Sequence, residues 1–374
     1  MIITTIIIFF LVLGLIVLFH EAGHFMAARF FGVKVEEFGL GFPPRMKKLF
    51  KKGDTEYTLN WLPIGGFCKI MGEDGEDKNN PESFSSRSVG QRALILSGGV
   101  IMNIILAMIL FSLIFMVGMP TDVTGGIDES KISGFKDQKV QITSVAKNSP
   151  AAEAGIMMGD TVLKINETKI ATIEELQNYI DNHRGEEVNI YLLRGKKEIT
   201  KKLIPRENPP DEEGPIGVGL AETAMVSYPV HWAIWKGIIH TIKITIFIIT
   251  AFAGIIWSLL TVGKMGAEIS GPVGIVVLTG QMSAMGLIYL LNFTALISVN
   301  LAIINALPFP ALDGGRLLFL AVEKIKGSPI NQQWEAKVNN IGFALLMLLM
   351  LLMLVVTFYD VGKYGIWEKI SSFF

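Results

Sequence analysis

The amino-acid sequence predicts a polytopic α-helical membrane protein with four spanning helices, membrane-associated β-strands, a surface or re-entrant helix and one inserted α/β domain. Hydrophobic residues make up 51% of the 374 residues and charged residues 18%, which suits a chain that is partly embedded in a membrane and partly exposed to water. The polar stretch from Gly126 to Arg206 contains no spanning run and is assigned to the inserted domain. The predicted spans, each long enough for a hydrocarbon core of about 30 Å, are Ile2 to Phe19, Ala93 to Val117, Leu287 to Leu307 and Ile341 to Phe358.

Charge and cysteine content narrow the range of partners. The formal net charge is -1, so no long-range field attracts nucleic acid, and the lipid bilayer is the expected surrounding. The single cysteine, Cys68, excludes an intrachain disulfide. The first apolar run lacks a basic region and a small-residue cleavage site, so we expect it to stay in the mature protein.

The most informative motif is HEAGH, formed by His20, Glu21 and His24 at the end of the first apolar run. On a helix the two histidines lie one turn apart on the same face, where both imidazoles can reach one Zn2+ ion. The glutamate between them can take a proton from a water held by that ion. A carboxylate in a membrane helix costs roughly 3 kcal/mol, so Glu21 requires a wet cavity or a metal beside it.

A catalytic zinc site usually has three protein ligands, and Asp313 is the favoured third. It follows a broken stretch in which Pro308 and Pro310 prevent a regular helix, and such backbone at membrane depth lines a cavity or is buried in protein. Asp313 could instead cap a helix that begins at Gly314. The weaker candidates are His183, His231, His240 and Glu323.

The loop after the first span is predicted to be cytoplasmic because it is rich in cations. These are Arg45, Lys47, Lys48, Lys51, Lys52 and Lys69. Three stretches in the loop alternate β-forming residues between glycine and proline breaks: Val35 to Phe42, Thr55 to Leu62 and Gly65 to Gly72. They predict short strands that either pack under the helices or present an edge to an extended peptide.

Ile238 to Val262 is apolar enough to span, but His240 and Lys243 interrupt its start. Asp313 can reach the two histidines only if its own helix runs outside to inside, as the first helix does. A full crossing by Ile238 to Val262 would reverse that direction. We therefore expect this segment to lie on the outer surface or to dip in and return.

The inserted domain resembles a bacterial PDZ domain in the run from Asn148 to Ile170. A PDZ domain binds extended peptides by strand addition, which points to a groove between the Gln141 to Val145 strand and the Ile173 to Asn182 helix. A domain that only blocks access sterically is the open alternative. The stretch Asn208 to Gly219 is expected to be a linker back to the membrane.

Taken in chain order, these expectations divide the sequence into nine segments. They are the first span with HExxH (1–31), a cytoplasmic loop with strands (32–92), the second span (93–118), the PDZ domain (126–207), a linker with the surface or re-entrant region (208–284), the third span with the LDG aspartate (285–315), a cytoplasmic loop (316–339), the fourth span (340–359) and a tail (360–374).

HEAGH on the first span, NALPFPALDGG after a later one and a PDZ unit between them resemble the site-2 protease family of intramembrane zinc metalloproteases, in its bacterial RseP type. The segments GLGF, GGFCKIMGE and SGPVGI also match, although there is room for only one PDZ domain. The resemblance implies that His20, His24 and Asp313 hold Zn2+ and that Glu21 is the general base. It further implies a substrate-binding edge formed by Gly66, Phe67, Cys68, Lys69 and Ile70.

Asn305 is a candidate for hydrogen bonding to the bound substrate, or for a contact between helices. The implied substrates are single-pass membrane proteins such as anti-sigma factors or signal-peptide remnants, trimmed beforehand on the outer side. The expected location is the bacterial cytoplasmic membrane, with the PDZ domain outside and the active site toward the cytoplasm. The alternative function is a membrane-anchored PDZ scaffold with a structural metal, which would need a fourth protein ligand.

Overall fold

The computed structural model describes residues 2–73, 75, 77, 79–124, 129–194, 197–210, 213–262, 272–328 and 330–363. The chain forms two compact units. The first, called the helical unit, contains Met1–Ser112 and Lys236–Phe374, and the second, called the inserted unit, contains Leu113–Trp235.

The α-helices of the described residues are α1 (Ile2–Phe30), α2 (Val89–Val117), α3 (Pro150–Glu153), α4 (Ile173–Asn182), α5 (Val230–Val262), α6 (Pro272–Met285), α7 (Leu287–Ala306), α8 (Asp313–Lys326) and α9 (Gln332–Lys363). The strands are β1 (Val35–Lys52), β2 (Thr55–Ile70), β3 (Met119–Asp122), β4 (Gly134–Val145), β5 (Thr161–Ile165), β6 (Thr168–Lys169), β7 (Val188–Arg194), β8 (Lys197–Leu203) and β9 (Val218–Ser227).

Five helices of the described residues are long and apolar enough to cross a membrane: α1, α2, α5, α7 and α9. Four of them contain the predicted spans, and α5 is the additional one. α5 is one uninterrupted helix of 33 residues, whereas a segment that dips into a membrane and returns must reverse its direction. The re-entrant form of the prediction is therefore wrong for Ile238 to Val262, and the surface orientation stays a prediction.

Around the LDG aspartate, α7 ends at Ala306 and a separate helix, α8, begins at Asp313, so the break expected at Pro308 and Pro310 lies between two helices. Most of the predicted cytoplasmic loop at 316–339 is helical, because α8 continues to Lys326 and α9 begins at Gln332. Lys324 and Lys326 lie in the last turn of α8, where cations stabilise the helix dipole. Residues 364–374 of the predicted tail, and Ser270 and Gly271 of the SGPVGI segment, lie outside the described residues.

β1 and β2 form one antiparallel sheet in place of the three short strands predicted. Phe38 pairs with Tyr57 on one side and with Cys68 on the other, so the first half of β1 lies in the centre. Most of the basic cluster forms the second half of β1, where Arg45 pairs with Asn60 and Lys52 with Thr55. The residues from Gly66 to Ile70 pair only with β1 in the described residues and form an edge.

The inserted unit is built on a sheet in the order β3-β9-β4-β5-β7-β8. Side chains cap both of its helices: Ser149 accepts from Ala152 N at the start of α3, and Thr172 forms a capping box with Glu175 at the start of α4. A core that includes Val140, Val162 and Leu176 joins sheet and helices. Residues 126–128 of the predicted domain and 211–212 of the predicted linker lie outside the described residues.

The predicted peptide groove is wrong in one respect. The Gln141 to Val145 strand is interior, because β4 pairs with β9 on one side and with β5 on the other. The predicted linker ends in β9, which occupies the position that a bound peptide was expected to take. The free edge beside α4 therefore belongs to β9, and Glu222 of β9 accepts the N–H of Ile173 at the start of α4.

Candidate metal centre and active site

Two histidine rings meet a carboxylate inside the helical unit. His20 and His24 lie four residues apart on α1 and are both buried, with Nε2 atoms 3.3 Å from each other. Asp313 Oδ2 lies 3.2 Å from His20 Nε2 and 3.4 Å from His24 Nε2. Asp313 is the first residue of α8 and Leu312 is its N-cap, so Asp313 does not cap this helix, and its Oδ2 faces the two histidines.

The spacing of these three atoms fits a tetrahedral Zn2+ ion. Bonds from zinc to nitrogen or oxygen are about 2.0–2.2 Å long, and tetrahedral ligands at that distance lie roughly 3.3–3.6 Å apart. The observed separations of 3.2, 3.3 and 3.4 Å are close to that value. Asp313 Oδ2 is buried and has no hydrogen-bond partner in the described residues, which fits a role as a metal ligand.

Gly99 of α2 leaves the space that an ion needs. A Cβ atom at this position would lie 2.4 Å from His24 Nε2 and 2.7 Å from His20 Nε2. No side chain fits there, so the hollow between the two imidazoles stays open. Close contact between α1 and α2 brings Gly99 to this point, because a Cβ on Gly23 would lie 2.1 Å from the carbonyl oxygen of Gly98.

The other ring nitrogens are held from α2. His24 Nδ1 donates to the carbonyl oxygen of Ile95 at 3.0 Å, which leaves Nε2 as the free nitrogen. His20 Nδ1 lies 3.3 Å from Asn103 Nδ2. Gly99 and Asn103 were not among the residues predicted for the site, although an asparagine in the middle of an apolar helix is a signal for a polar contact inside the protein.

Glu21 lies between the metal ligands and the strand edge. It is within electrostatic range of His20, His24 and Asp313. A Cβ atom on Gly66 would lie 3.6 Å from Glu21 Cγ, so the predicted substrate-binding edge runs directly past the predicted base. Beyond Ile70, Glu73 forms an ion pair with Arg316 of α8, which ties the end of this edge to the helix of Asp313.

Asn305 lies half-buried in the last turn of α7. The end of that turn packs against the start of α8, where a Cβ on Gly314 would lie 2.4 Å from the carbonyl oxygen of Ala306. Asn305 therefore lies in the turn of α7 that packs against the start of α8, where Asp313 is located. The weaker ligand candidates lie apart from the three metal-ligating groups: Glu323 pairs with Arg92, His183 stacks on Tyr179 and His240 packs edge-on against Phe111.

In the described residues, His20, His24 and Asp313 are the one group of His, Cys, Asp and Glu side chains spaced to hold a metal ion. Together with Glu21 and the apolar helices around them, they define the class of membrane-embedded metallopeptidases. The chain belongs to Peptidase family M50, whose family model matches residues 8–349. The predicted family and the predicted metalloprotease class are thereby confirmed.

Curated relatives cover nearly the whole chain. The regulator of sigma-W protease RasP of Bacillus subtilis is 29% identical over an alignment of 444 residues, which covers 97% of this chain and 99% of that protein. The zinc metalloprotease RasP of Geobacillus kaustophilus is 29% identical over 438 residues, covering 96% and 98%. The regulator of sigma-E protease RseP of Escherichia coli is 27% identical over 429 residues, covering 91% and 95%. The name of the Geobacillus protein agrees with Zn2+ as the predicted cofactor.

Among solved structures, the PDZ domain of an SdrC-like protein from Listeria monocytogenes is similar to part of this chain. It is 26% identical, with a TM-score of 0.20, and the match covers 22% of this chain and 85% of that domain.

Proposed function

We propose that this protein is an intramembrane zinc endopeptidase that cleaves single-pass membrane proteins within or near their membrane segment. The observation that carries the proposal is the triangle of His20 Nε2, His24 Nε2 and Asp313 Oδ2, with sides of 3.2–3.4 Å, next to Glu21. These three atoms would hold Zn2+. The described residues offer no fourth ligand in the group, which favours a catalytic site with an open position over a structural metal.

When bound, Zn2+ would polarise the scissile carbonyl and lower the pKa of water toward about 7. Glu21 would accept the proton of the attacking water and deliver it to the nitrogen of the leaving amine. Its place beside the three ligands suits both transfers, because a general base must lie within hydrogen-bond reach of the proton it takes. The apolar surroundings of α1 and α2 would keep bulk water away from this carboxylate.

The substrate would bind as an added strand on the edge from Gly66 to Ile70. A transmembrane helix has its carbonyls bonded internally, so it must unwind before attack, and an extended chain then needs new backbone partners. The edge supplies such partners a few ångströms from Glu21, since Gly66 adjoins Glu21 Cγ. Phe67, Cys68, Lys69 and Ile70 continue the same edge, and Asn305 would bond to the far side of the substrate backbone.

The expected location is a bacterial cytoplasmic membrane, with the metal site toward the cytoplasm and the inserted unit outside. There the inserted unit would favour substrates whose outer part has already been trimmed. The relatives named as regulators of sigma-W and sigma-E support anti-sigma factors as a substrate class. Orientation is testable in a Cys68→Ser background with single cysteines at Glu167 and Ser328. An impermeant thiol reagent applied from outside should label the first and spare the second, and the reverse pattern contradicts this topology.

The decisive test compares Glu21→Gln with Asp313→Ala in purified protein reconstituted with an anti-sigma factor shortened on its outer side. Glu21→Gln should retain zinc but lose cleavage by a factor of about 10²–10⁴, because its amide cannot accept the proton. Asp313→Ala should lose both zinc and cleavage. Near-normal cleavage by the first variant contradicts the general base, and full zinc content in the second contradicts the third ligand.

A further inference from the structure

Asn103 is a polar side chain without an evident structural reason in the apolar helix α2. It is fully buried, at 0% exposure. Its Nδ2 lies 3.3 Å from His20 Nδ1, and its Oδ1 has no hydrogen-bond partner in the described part of the chain. The backbone carbonyl of Asn103 accepts a hydrogen bond from Ser298 Oγ of α7 at 2.8 Å.

The chemistry of a ligating histidine decides which amide atom should face it. A neutral imidazole that gives Nε2 to a metal carries its proton on Nδ1, and that N–H needs an acceptor. His24 has one in the carbonyl oxygen of Ile95. Among the described residues, the group next to His20 Nδ1 is the Asn103 amide. A half-turn about the last side-chain bond of Asn103 exchanges the positions of Oδ1 and Nδ2, so that Oδ1 faces His20.

We propose that Asn103 is a positioning residue of the metal site. In the metal-bound protein its Oδ1 accepts the Nδ1–H of His20, which fixes the tautomer and the ring orientation that present Nε2 to the metal. Ser298 holds the backbone of Asn103 from α7, so three helices share the placement of one ligand. This inference rests on the proposed function, since it takes His20 as a ligand.

Burial separates this role from substrate binding. With no exposed surface, Asn103 cannot touch a substrate, so its loss should weaken metal binding and leave KM unchanged once the site is loaded. Replacing the acceptor that orients a metal-bound histidine typically weakens metal affinity about 10–100-fold. The readout is therefore zinc affinity, measured without substrate.

The experiment compares wild type, Asn103→Leu and Asn103→Asp by zinc competition with a chromophoric chelator, and by the visible spectrum of the Co2+-loaded protein. The leucine variant keeps the size but removes the acceptor, and we expect its zinc affinity to fall by about tenfold or more. The aspartate variant keeps an acceptor, so it should stay within about threefold of wild type with an unchanged Co2+ spectrum. Asn300→Leu is the matched control. Asn300 donates to the carbonyl oxygen of Leu296 in its own helix, so this variant should bind zinc as the wild type does.

The leucine variant overturns the inference if its affinity falls less than tenfold. The inference is also overturned if Asn103→Asp loses as much zinc affinity as Asn103→Leu, since that result would mean that the amide of Asn103 acts as a donor. Should Asn103→Leu not purify as a folded protein, the aspartate variant decides alone by the same criterion. Failure of the proposed function looks different, because the wild-type protein itself would then bind no zinc, or Asp313→Ala would bind it unchanged.

Discussion

Two strand edges have no neighbouring strand among the described residues, and they differ in what lies beside them. The edge from Gly66 to Ile70 of β2 runs past Glu21, the proposed general base. The edge from Val218 to Ala221 of β9 runs beside α4, with Leu176 and Ile180 in the core behind it. Each could bind an extended chain through its backbone, but only the first adjoins groups that can cleave a peptide bond.

The backbone of β9 shows how the second edge is left open. Ile142 of β4 donates its N–H to Asp160, so the Ile142 and Leu220 pair is not hydrogen-bonded and the N–H and C=O of Leu220 point away from β4. On the outer side of β9, β3 pairs with Thr223 to Val226, and Val123 and Thr124 bond to the backbone of Glu222, so the part without a strand partner in the described residues is Val218 to Ala221. The comparison therefore teaches that two edges with the same backbone hydrogen-bonding groups differ through what lies beside them, Glu21 at the first and α4 at the second.

The largest expected effect comes from removing the chemistry of the first edge without touching the edge itself. Gly99→Ala would place a methyl group 2.4 Å from His24 Nε2, in the space that the metal would occupy. We expect zinc content to fall to background and cleavage to become undetectable, while peptide binding at β9 is retained. Metal analysis of the purified protein checks the first point and fluorescence anisotropy the second.

Gly90→Ala is the control for this substitution, because a Cβ at Gly90 of the same helix meets nothing within 4 Å. Both alanine variants gain the same helix propensity. Full zinc content in Gly99→Ala would show that the ion does not lie between the two imidazoles.

A smaller effect should follow from narrowing the gap between the first edge and the base. A Cβ on Gly66 would lie 3.6 Å from Glu21 Cγ and 3.0 Å from the carbonyl oxygen of Gly39, so Gly66→Val crowds the substrate strand. We expect kcat/KM to fall about 10²-fold, as displacements of about 1 Å do near reacting atoms, with zinc content unchanged. Gly14→Ala, which meets nothing within 4 Å on α1, should cleave normally. Unchanged cleavage by Gly66→Val would place the substrate elsewhere.

The candidate metal site was open to prediction because its signals are local. HEAGH sets two histidines one helical turn apart, and the prolines before Asp313 mark a broken helix whose carboxylate can turn inward. Gly99 and Asn103 were missed because their roles arise only when α1 and α2 pack closely. No periodicity within α2 distinguishes a glycine beside a metal from one beside a lipid.

Two of the errors in the fold share a physical cause, since each concerns the pairing of a segment with another strand. β9 was taken for part of a linker because Asn208 to Gly219 is rich in proline and glycine, yet its strand pairs with β4 some 80 positions earlier in the register Val140 to Glu222. Likewise, the second half of β1 was predicted as a loop because it is rich in lysine. A two-stranded sheet accepts such charges on the face that is exposed to solvent. The expected orientation of Ile238 to Val262 depended on which side of the membrane each helix end faces, and helix length alone does not decide that.

The second edge can be weakened at Leu220, whose side chain also packs against the core of the inserted unit, so Leu220→Ala is the control for the lost side chain. Leu220→Pro removes an N–H that faces the open side, and we expect it to weaken binding of a fluorescein-labelled decapeptide with a free apolar C-terminus about 2–10-fold, the value of one backbone hydrogen bond. Cleavage of the shortened substrate should be unaffected. Ala221→Pro is the contrast, because Ala221 bonds toward Gln141 and its loss should unfold part of the sheet. Equal peptide affinity in Leu220→Pro and wild type would mean that β9 is not a binding edge.

The smallest effect on cleavage is expected from removing the ion pair between Asp160 and Arg194, which stabilises the sheet that carries the second edge. Asp160 is buried and accepts two hydrogen bonds of 2.7 Å from Arg194 and one of 2.9 Å from Met157 N. Burial alone would raise the pKa of Asp160, but Arg194 and the Met157 N–H outweigh it and hold that pKa below its usual range. The pKa is thus lower in the folded than in the unfolded chain, so the stabilisation is complete above about pH 4 and is lost as pH falls through the folded value.

Asp160→Asn should therefore lower the stability of the inserted unit by about 2 kcal/mol at pH 7, the scale of hydrogen bonds to a charged group. The difference from wild type should shrink as the pH falls below about 4, because the wild type then loses the same charge. Hydrogen exchange of the β5 and β7 peptides, corrected for intrinsic rates, measures both, and exchange at Gly66 to Ile70 should match wild type at every pH. Asp181→Asn is the control, since its pair with Arg184 is exposed and contributes little. A constant difference from pH 7 to pH 3 would show that Asp160 supports the second edge by packing and not by its charge.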